Sequence, residues 1–306
     1  MIDTPSGPRF VFDAHTHFFD TTFLRGLGKP LGLDGASAPA EVAGRLGWEP
    51  PADDPAETAR RWVAEMDRHG VDRMVAIHTL PGDFDAAARG IAATSGRLAG
   101  YLMINPLAPG AAEQVKRAVT SLGFRGVALF PAMFRFSLLA DAVYEIFQVA
   151  NEHELNVFVH CGVLKVGFRT KLGLPSAFDA TFANPLALQR PAAEFLRIKF
   201  IIPHLGSGLL RELLMLADQS PNVYSDTSGV AGWAKYLDGA PSPAVALRQA
   251  VDVMGAGRLL FGSDSTFFPR GWRRDVFDRQ MELFAEARLS DEQVTQILGG
   301  NLAAML

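Results

Sequence analysis

Short apolar runs rich in β-branched and aromatic residues recur along the chain, and each is followed by a segment whose apolar positions have helical spacing. The predicted strands are Phe10–Ala14, Asp72–His78, Leu98–Ile104, Gly126–Phe130, Asn156–His160, Lys199–Pro203, Val223–Ser225 and Arg258–Gly262. The predicted helices include Ala56–His69, Ala111–Leu122, Leu139–Glu154, Gly206–Gln219, Pro243–Val253 and Arg274–Ala287.

This alternation predicts an α/β fold with a parallel sheet, and eight repeats in 306 residues match a (β/α)8 TIM barrel. The alternative is an open doubly wound sheet, which usually carries a glycine-rich phosphate turn after its first strand. Here the first strand runs into Asp-Ala-His-Thr-His instead. We therefore predict one barrel domain over residues 1–306. Its extended loops after strands 1 and 5, Phe18–Asp54 and Gly162–Pro185, are interpreted as substrate-binding loops.

Composition narrows the class of protein. Hydrophobic residues make up 48% of the chain and charged residues 20%, as in an ordinary globular protein. The net charge of −4 argues against a nucleic-acid or anionic-membrane partner. The single cysteine, Cys161, cannot form an internal disulfide, and residues 1–9 lack the pattern of a secretory signal. We expect a cytoplasmic enzyme that acts on a small-molecule substrate.

Histidines and carboxylates fall at the ends of predicted strands. His15 and His17 follow the first strand, and their i, i+2 spacing directs both rings the same way, with Asp13 one step below them. Strands five, six and eight end at or just before His160, His204 and Asp264 respectively.

These residue types suit a divalent metal ion, because imidazole nitrogen and carboxylate oxygen are its preferred ligands. Any one of the histidines alone is more simply explained as a core residue, but their joint placement favours a metal site. The residues that can supply its shell are Asp13, His15, His17, His160 and Asp264. The expected ion is Zn²⁺, with Mn²⁺ as the alternative.

Four motifs resemble the amidohydrolase superfamily, and within it the amidohydrolase-related branch of TIM-barrel metal-dependent hydrolases and decarboxylases. They are Asp-Ala-His-Thr-His, the strand end at His160, Ile-Ile-Pro-His-Leu-Gly and Phe-Gly-Ser-Asp. The resemblance implies metal ligation by His15, His17, His160 and Asp264, with Asp13 a ligand in some relatives only. It also implies that His204 lies close to the metal and acts on the substrate, and that the protein is a homo-oligomer, often a dimer.

The end of strand four departs from the pattern of binuclear members. Those members carry a carboxylated lysine or a glutamate there, which bridges two metals. In this chain the segment reads Gly-Val-Ala-Leu-Phe-Pro, without a lysine or a carboxylate. One metal ion is therefore predicted.

The leading functional hypothesis is metal-dependent hydrolysis of a small lactone, amide or related substrate that contains a ring or a carboxylate. A bound metal would activate water and polarise the carbonyl, Asp264 would move the proton, and His204 would stabilise the developing oxyanion. The alternative is non-oxidative decarboxylation of an aromatic or unsaturated acid at the same site. A second alternative is a non-catalytic barrel that binds a metal or a ligand.

Candidate substrate-binding residues surround these strand ends. Lys165 and Arg169 follow strand five and Arg135 follows strand four, so each can clamp a carboxylate, although a solvated surface role fits them equally. His78 ends strand two and is expected to face the barrel mouth. Phe130 belongs to an aromatic-rich neighbourhood that favours a ring-sized substrate.

Overall fold

The strands form a parallel barrel preceded by a small hairpin, in a computed structural model that describes residues 1–4, 7–237, 239 and 241–306. The hairpin strands are β1 Ile2–Thr4 and β2 Gly7–Arg9. The barrel strands are β3 Phe12–Asp13, β4 His17–Phe18, β5 Arg73–His78, β6 Leu98–Met103, β7 Gly126–Leu129, β8 Asn156–Val159, β9 Lys199–Ile202, β10 Val223–Asp226 and β11 Leu259–Leu260.

Strands β3 and β4 are two parts of the first barrel strand, since both pair with β5. Neighbouring strands then pair in parallel and in chain order as far as β11. Backbone hydrogen bonds close the circle, because the amide of Ala14 donates to the carbonyl of Phe261 and that of Asp264 to His15, each at 2.8 Å. The predicted (β/α)8 barrel is confirmed.

Helices connect the strands and cover the barrel. The α-helices are α1 Thr21–Gly28, α2 Ala38–Leu46, α3 Pro55–His69, α4 Phe84–Ala92, α5 Ala111–Leu122, α6 Pro131–Phe134, α7 Asp141–Glu152, α8 Gly167–Lys171, α9 Gln189–Glu194, α10 Leu210–Gln219, α11 Val230–Trp233, α12 Pro243–Met254, α13 Arg274–Glu286, α14 Asp291–Thr295 and α15 Asn301–Met305. No helix in the described part of the chain is long and apolar enough to span a membrane.

The barrel strands form because both of their faces are buried. Every residue of β6, β7 and β8 is buried, which favours the continuous apolar runs seen in the sequence. Inside the barrel, Tyr101 fills the space beside Gly126, where a Cβ atom would lie 2.8 Å from the tyrosine ring. The phenol accepts a hydrogen bond of 2.7 Å from Asn156, so this buried polar pair lies within the barrel interior.

The sequence predicted an extended loop after the first strand, but the structure contains helices there. The segment contains α1 and α2, and the side chain of Asp20 caps α1 by accepting a hydrogen bond from the amide of Phe23 at 2.7 Å. The two helices bury apolar faces against each other, which a glycine- and proline-rich sequence conceals. The segment after β8 likewise contains the short helix α8.

Several predicted helix boundaries differ from the structure by one or two residues, and the largest error is at the start of α10. Helix α10 begins at Leu210 and not at Gly206. The residues before it, Gly206, Ser207 and Gly208, have positive φ angles, which an α-helix excludes. This irregular turn contacts the segment after β8, since the amide of Val163 donates to the carbonyl of Ser207 at 3.0 Å.

Candidate metal centre

Six polar side chains gather at the carboxyl ends of the barrel strands, which is the face where active sites of this architecture lie. They are His15, His17, His160, His204, Asp226 and Asp264. His204 and Asp264 have left-handed backbone conformations, with φ angles of 58° and 55°. Non-glycine residues in that region are strained, and such residues cluster at functional sites.

The side chains of His15, His17 and Asp264 converge and form what we call the donor group. Atom Nε2 of His17 lies 3.5 Å from Oδ1 of Asp264, and Nε2 of His15 lies 3.6 Å from the same oxygen. The three ligand atoms all lie within 4.8 Å of one another. The Asp264 side chain remains 45% exposed, so the donor group opens toward solvent on one side.

A buried carboxylate orients His15. Nδ1 of His15 lies 2.9 Å from Oδ2 of Asp226, and both side chains are almost fully buried. Burial by itself lowers the pKa of His15. The charge and hydrogen bond of Asp226, together with the charges of Asp264 and Asp13, outweigh burial and raise that pKa to about 9. A positive charge is therefore favoured on this ring, whether a proton or a metal ion on Nε2 supplies it.

A hydroxyl group orients His17. The hydroxyl of Thr79 donates to the carbonyl of Ile77 at 3.2 Å, so it accepts a hydrogen bond from Nδ1 of His17 at 2.9 Å. This arrangement leaves Nε2 of His17 without a proton and directed at Asp264. Burial also lowers the pKa of His17, which favours the neutral imidazole that binds metals.

Ser228 links His204 to the buried carboxylate. The Nδ1 atom of His204 lies 2.8 Å from Oγ of Ser228 and 3.1 Å from its carbonyl oxygen, and the serine hydroxyl donates to Asp226. Asp226 also accepts a hydrogen bond from the backbone amide of His204 at 3.1 Å. Burial and the charge of His15 lower the pKa of His204. The ring is thus held by Nδ1, and Nε2 is left to face the site.

His160 approaches the other histidines from β8. Its ring centroid lies 5.2 Å from that of His204 and 5.4 Å from that of Phe130. Its buried Nδ1 atom has no hydrogen-bond partner among the described residues. Burial, together with the charges of His204 and His15, holds the pKa of His160 well below its usual range.

These observations test whether the residues fit a metal ion. A buried imidazole nitrogen without a partner is costly unless another group binds it. Neutral imidazoles and an ionised carboxylate are the forms that ligate divalent metals, and His17, His160 and Asp264 are held in those forms. The donor set therefore fits a divalent ion.

The predicted ligand Asp13 lies apart from the donor group. Its Oδ1 atom accepts hydrogen bonds of 3.0 Å from the amides of His15 and Ser263, and its Oδ2 accepts one of 2.8 Å from Nε1 of Trp272. Both oxygens are thus occupied below the site. We correct the expectation that Asp13 is a ligand, because its contacts support the loop that carries His15.

The donor group lies in the wall of a cavity of about 460 Å³, which we call the inner cavity. Aromatic rings are among its lining residues, including Phe19, Phe168 and Phe267. The cationic side chains among its lining residues are Lys165, Arg169, Lys171 and Arg270. A cavity of this size accommodates a small ring-containing molecule, and its cations favour a negatively charged one.

The predicted substrate-binding residues fall into two sets. Phe130, Lys165 and Arg169 line the inner cavity, and their role in substrate binding stays a prediction. His78 does not line it, because its fully buried ring lies 3.3 Å from Asp20, the residue that caps α1. Arg135 is exposed and is also absent from the lining. We correct the expectation for these two residues.

Sequence reasoning missed three supporting residues, Thr79, Ser228 and Asp226. The sequence contained a signal for Asp226, because this carboxylate directly follows the predicted seventh strand. The prediction ended that strand at Ser225. Strand β10 extends one residue further and includes Asp226. Thr79 and Ser228 carried no comparable signal, since hydroxyl residues are common after strands.

Comparison with known proteins identifies relatives of this fold. A model of the amidohydrolase family matches residues 12–306. A search of curated proteins finds no match. The chain is similar in structure to a 5-carboxyvanillate decarboxylase from Sphingomonas paucimobilis, with a TM-score of 0.67 and 18% identity over 97% of this chain and 99% of that one.

Two further solved structures resemble the chain. A dihydroxybenzoic acid decarboxylase from a Polaromonas species, with bound manganese and the inhibitor 2-nitroresorcinol, has a TM-score of 0.64 and 18% identity, covering 97% of each chain. A probable 2-pyrone-4,6-dicarboxylic acid hydrolase from Acinetobacter baumannii, with citric acid bound, has a TM-score of 0.60 and 15% identity over 96% of this chain and 98% of that one.

These comparisons confirm the family resemblance and correct the leading functional hypothesis. Decarboxylases of carboxyvanillate and dihydroxybenzoate outnumber the hydrolase among these similar structures. Hydrolysis, which the sequence motifs were taken to favour, is therefore set aside. The motifs could not separate the two reactions, because both require the same histidines and carboxylate.

Proposed function

Because this chain belongs to the amidohydrolase family, we propose that it is a metal-dependent, non-oxidative decarboxylase of a small aromatic or unsaturated carboxylic acid. The observation that carries the proposal is the position of the donor group in the wall of the inner cavity, among aromatic rings and cationic side chains. An anionic ring has the shape and the charge that this combination favours.

The proposed ligands of one divalent ion are His15, His17, His160 and Asp264. When bound, such an ion supplies positive charge that binds the substrate carboxylate and a neighbouring oxygen. Imidazole suits zinc, and carboxylate oxygen suits manganese, so both ions are candidates. The absence of a lysine or carboxylate in the segment Gly126–Phe130 supports a single ion.

Lys165 and Arg169 would attract the acid into the cavity. Lys165 is exposed at the cavity wall, and Arg169 is partly buried with its Nε donating to the carbonyl of Pro175 at 2.6 Å. Phe130, which stacks on His160, offers a ring face to the substrate. These contacts would orient the ring with its carboxylate toward the donor group.

The reaction replaces the carboxylate with a proton at the same carbon and releases carbon dioxide. We assign the proton transfer to His204. Its Nδ1 atom is engaged by Ser228, so Nε2 is the atom that faces the inner cavity and can carry the proton. Asp264 would act as a ligand. Burial and the charge of His15 lower the pKa of His204. The negative charges of Asp226 and Asp264 oppose this effect, so both carboxylates would favour the ring in its protonated form.

The test uses 2,6-dihydroxybenzoate and 5-carboxyvanillate, each labelled with ¹³C in every carboxyl group, and protein loaded with Mn²⁺ or Zn²⁺. The expected result is labelled carbon dioxide, and in deuterated water one deuteron at the ring carbon that lost the carboxylate. Protein stripped with a chelator should release none, and readdition of the ion should restore release.

A matched control tests whether the loss of a cationic side chain outside the inner cavity affects the reaction. Arg135→Ala removes an exposed cation that does not line the inner cavity, so its rate of carbon dioxide release should equal that of the native chain. The proposal is wrong if no acid of the panel, extended to salicylates and unsaturated diacids, loses labelled carbon dioxide with either ion.

A further inference from the structure

A second cavity lies directly behind the wall of the inner cavity. This outer cavity has a volume of about 270 Å³ and is lined in part by Ala52, Thr58 and Arg61. Four residues line both cavities, which are Phe19, Trp48, Thr266 and Phe267. The two spaces are therefore separated by side chains, and rings form most of that partition.

The partition is part of a row of nearly parallel rings. Phe23 stacks on Phe19 with centroids 4.1 Å apart and an angle of 7°, and Phe19 stacks on Trp48 at 5.7 Å and 9°. Trp48 in turn stacks on Phe267 at 4.3 Å and 15°. Such close offset stacking adds to the stability that ring burial provides, so the row resists opening.

Backbone hydrogen bonds anchor the row from both sides. The amide of Trp48 donates to Ala43 in α2 at 2.8 Å, and the amide of Glu49 donates to the carbonyl of Phe268 at 2.9 Å. The second bond joins the segment after α2 to the segment after β11. It fixes the separation between Trp48 and Phe267, which come from opposite ends of the chain.

Two further side chains support the row. The ring of Phe168, from α8, meets Trp48 edge-on at 5.3 Å. The guanidinium of Arg270 lies over Phe267 at 4.4 Å from its centroid. Trp48 itself is only 8% exposed although it borders two cavities. A side chain held on so many sides acts as a fixed boundary rather than a mobile cover.

We propose that Trp48 and Phe267 are specificity-determining residues that set the length of the acid the inner cavity accepts. This inference rests on the proposed function, because it concerns the substrate of the same site. A ring substituent directed away from the donor group would meet the indole of Trp48. Shortening that side chain would join the two cavities and admit a longer acid.

The test compares the binding of two acids to Mn²⁺-loaded protein by isothermal titration calorimetry. The short acid is 2-hydroxybenzoate, and the long acid is 4-phenyl-2-hydroxybenzoate, which adds one ring. Native protein should bind the short acid more tightly than the long one. Trp48→Ala should bind the long acid about tenfold more tightly than native protein, or better, while its affinity for the short acid changes little.

Two further variants test whether a gain in affinity for the long acid comes from joining the two cavities or from a general destabilisation of the fold. Trp48→Phe keeps a ring in the row and should retain the native preference. Ala52→Phe, introduced into Trp48→Ala, fills the outer cavity and should abolish the gain for the long acid. Melting temperatures of all variants establish that each is folded under the conditions of the titration.

The outcomes separate the inference from the proposed function. If Trp48→Ala gains no affinity for the long acid, or if Ala52→Phe does not reverse the gain, the inference is wrong. If neither acid binds any variant, the proposed substrate class is wrong instead. The boundary is then tested with phenol and 4-phenylphenol, which carry no carboxylate, and the same pattern across the variants is required.

Discussion

The carboxylate of Asp226 lies 2.9 Å from Nδ1 of His15, while Nε2 of the same ring faces Asp264 at 3.6 Å. A buried carboxylate on one nitrogen of an imidazole orients the ring and increases the basicity of the other nitrogen. Asp226 is itself held by Ser228 and by the amide of His204. One side chain therefore supports two of the histidines proposed to act in the centre.

Asp226→Asn should weaken metal binding by about 10- to 100-fold, because the amide cannot supply the charge that favours a cation on His15. The affinity is measured by competition with a chromophoric chelator. Asp252→Asn provides the matched control, since Asp252 forms only an exposed ion pair with Arg248 and should bind the metal normally. Equal affinities of the two variants would contradict the proposed role of Asp226.

His204→Asn should retain the metal and lose turnover. The proposed ligands are untouched, but the group assigned to proton transfer is removed, which typically costs about 10²- to 10⁴-fold in rate. Metal content is measured by elemental mass spectrometry and turnover by release of labelled carbon dioxide. His153→Asn, at the end of α7, is the control with unchanged activity. Loss of the metal from His204→Asn would instead make His204 a ligand.

Trp272→Phe should lower the free energy of unfolding by about 1.5–3 kcal/mol, because it removes a hydrogen bond to the buried carboxylate of Asp13. Urea denaturation followed by circular dichroism measures the change. The same substitution at Trp233 is the control, since its buried Nε1 atom has no hydrogen-bond partner among the described residues. A loss at Trp233 as large as that at Trp272 would show that ring size alone matters.

Cys161 should resist thiol reagents in the native protein. Its side chain is fully buried, and burial raises the pKa of the thiol, so the reactive thiolate is scarce and inaccessible. Labelling with iodoacetamide, followed by mass spectrometry, should be complete in guanidinium chloride and negligible in buffer. Rapid labelling of native protein would mean that the segment after β8 opens readily.

The order of the barrel strands was predictable from the sequence because parallel barrel strands are buried on both faces. That burial requires continuous apolar runs, and β6 and β8 lie where such runs were found. Helix α5 has the predicted bounds, Ala111–Leu122, because its apolar positions repeat with helical spacing and Gly123 follows. The local pattern of apolar and polar residues was sufficient to predict these elements.

The local pattern of apolar and polar residues was insufficient to predict α1 and α2. Their segment is rich in glycine and proline, and the apolar residues that define the helices, such as Leu24 and Val42, are buried in a cluster that also includes Trp48 and Leu172 from outside the two helices.

His78 was misassigned because successive residues of β5 point to opposite faces. Ile77 packs in the barrel interior, whereas Ala76 and His78 lie on the outer face. On that face Asp20 contacts the His78 ring.

The sequence by itself determined which strand ends carry histidines and carboxylates, since the carboxyl ends of parallel strands must meet on one face of a barrel. The tertiary structure alone decided which of those atoms converge. Asp13 bonds to Trp272, 259 positions away, and Asp226 bonds to His15, 211 positions away. Contacts between residues so far apart in the sequence depend on how distant segments pack, so they cannot be predicted from the spacing of residues along the chain.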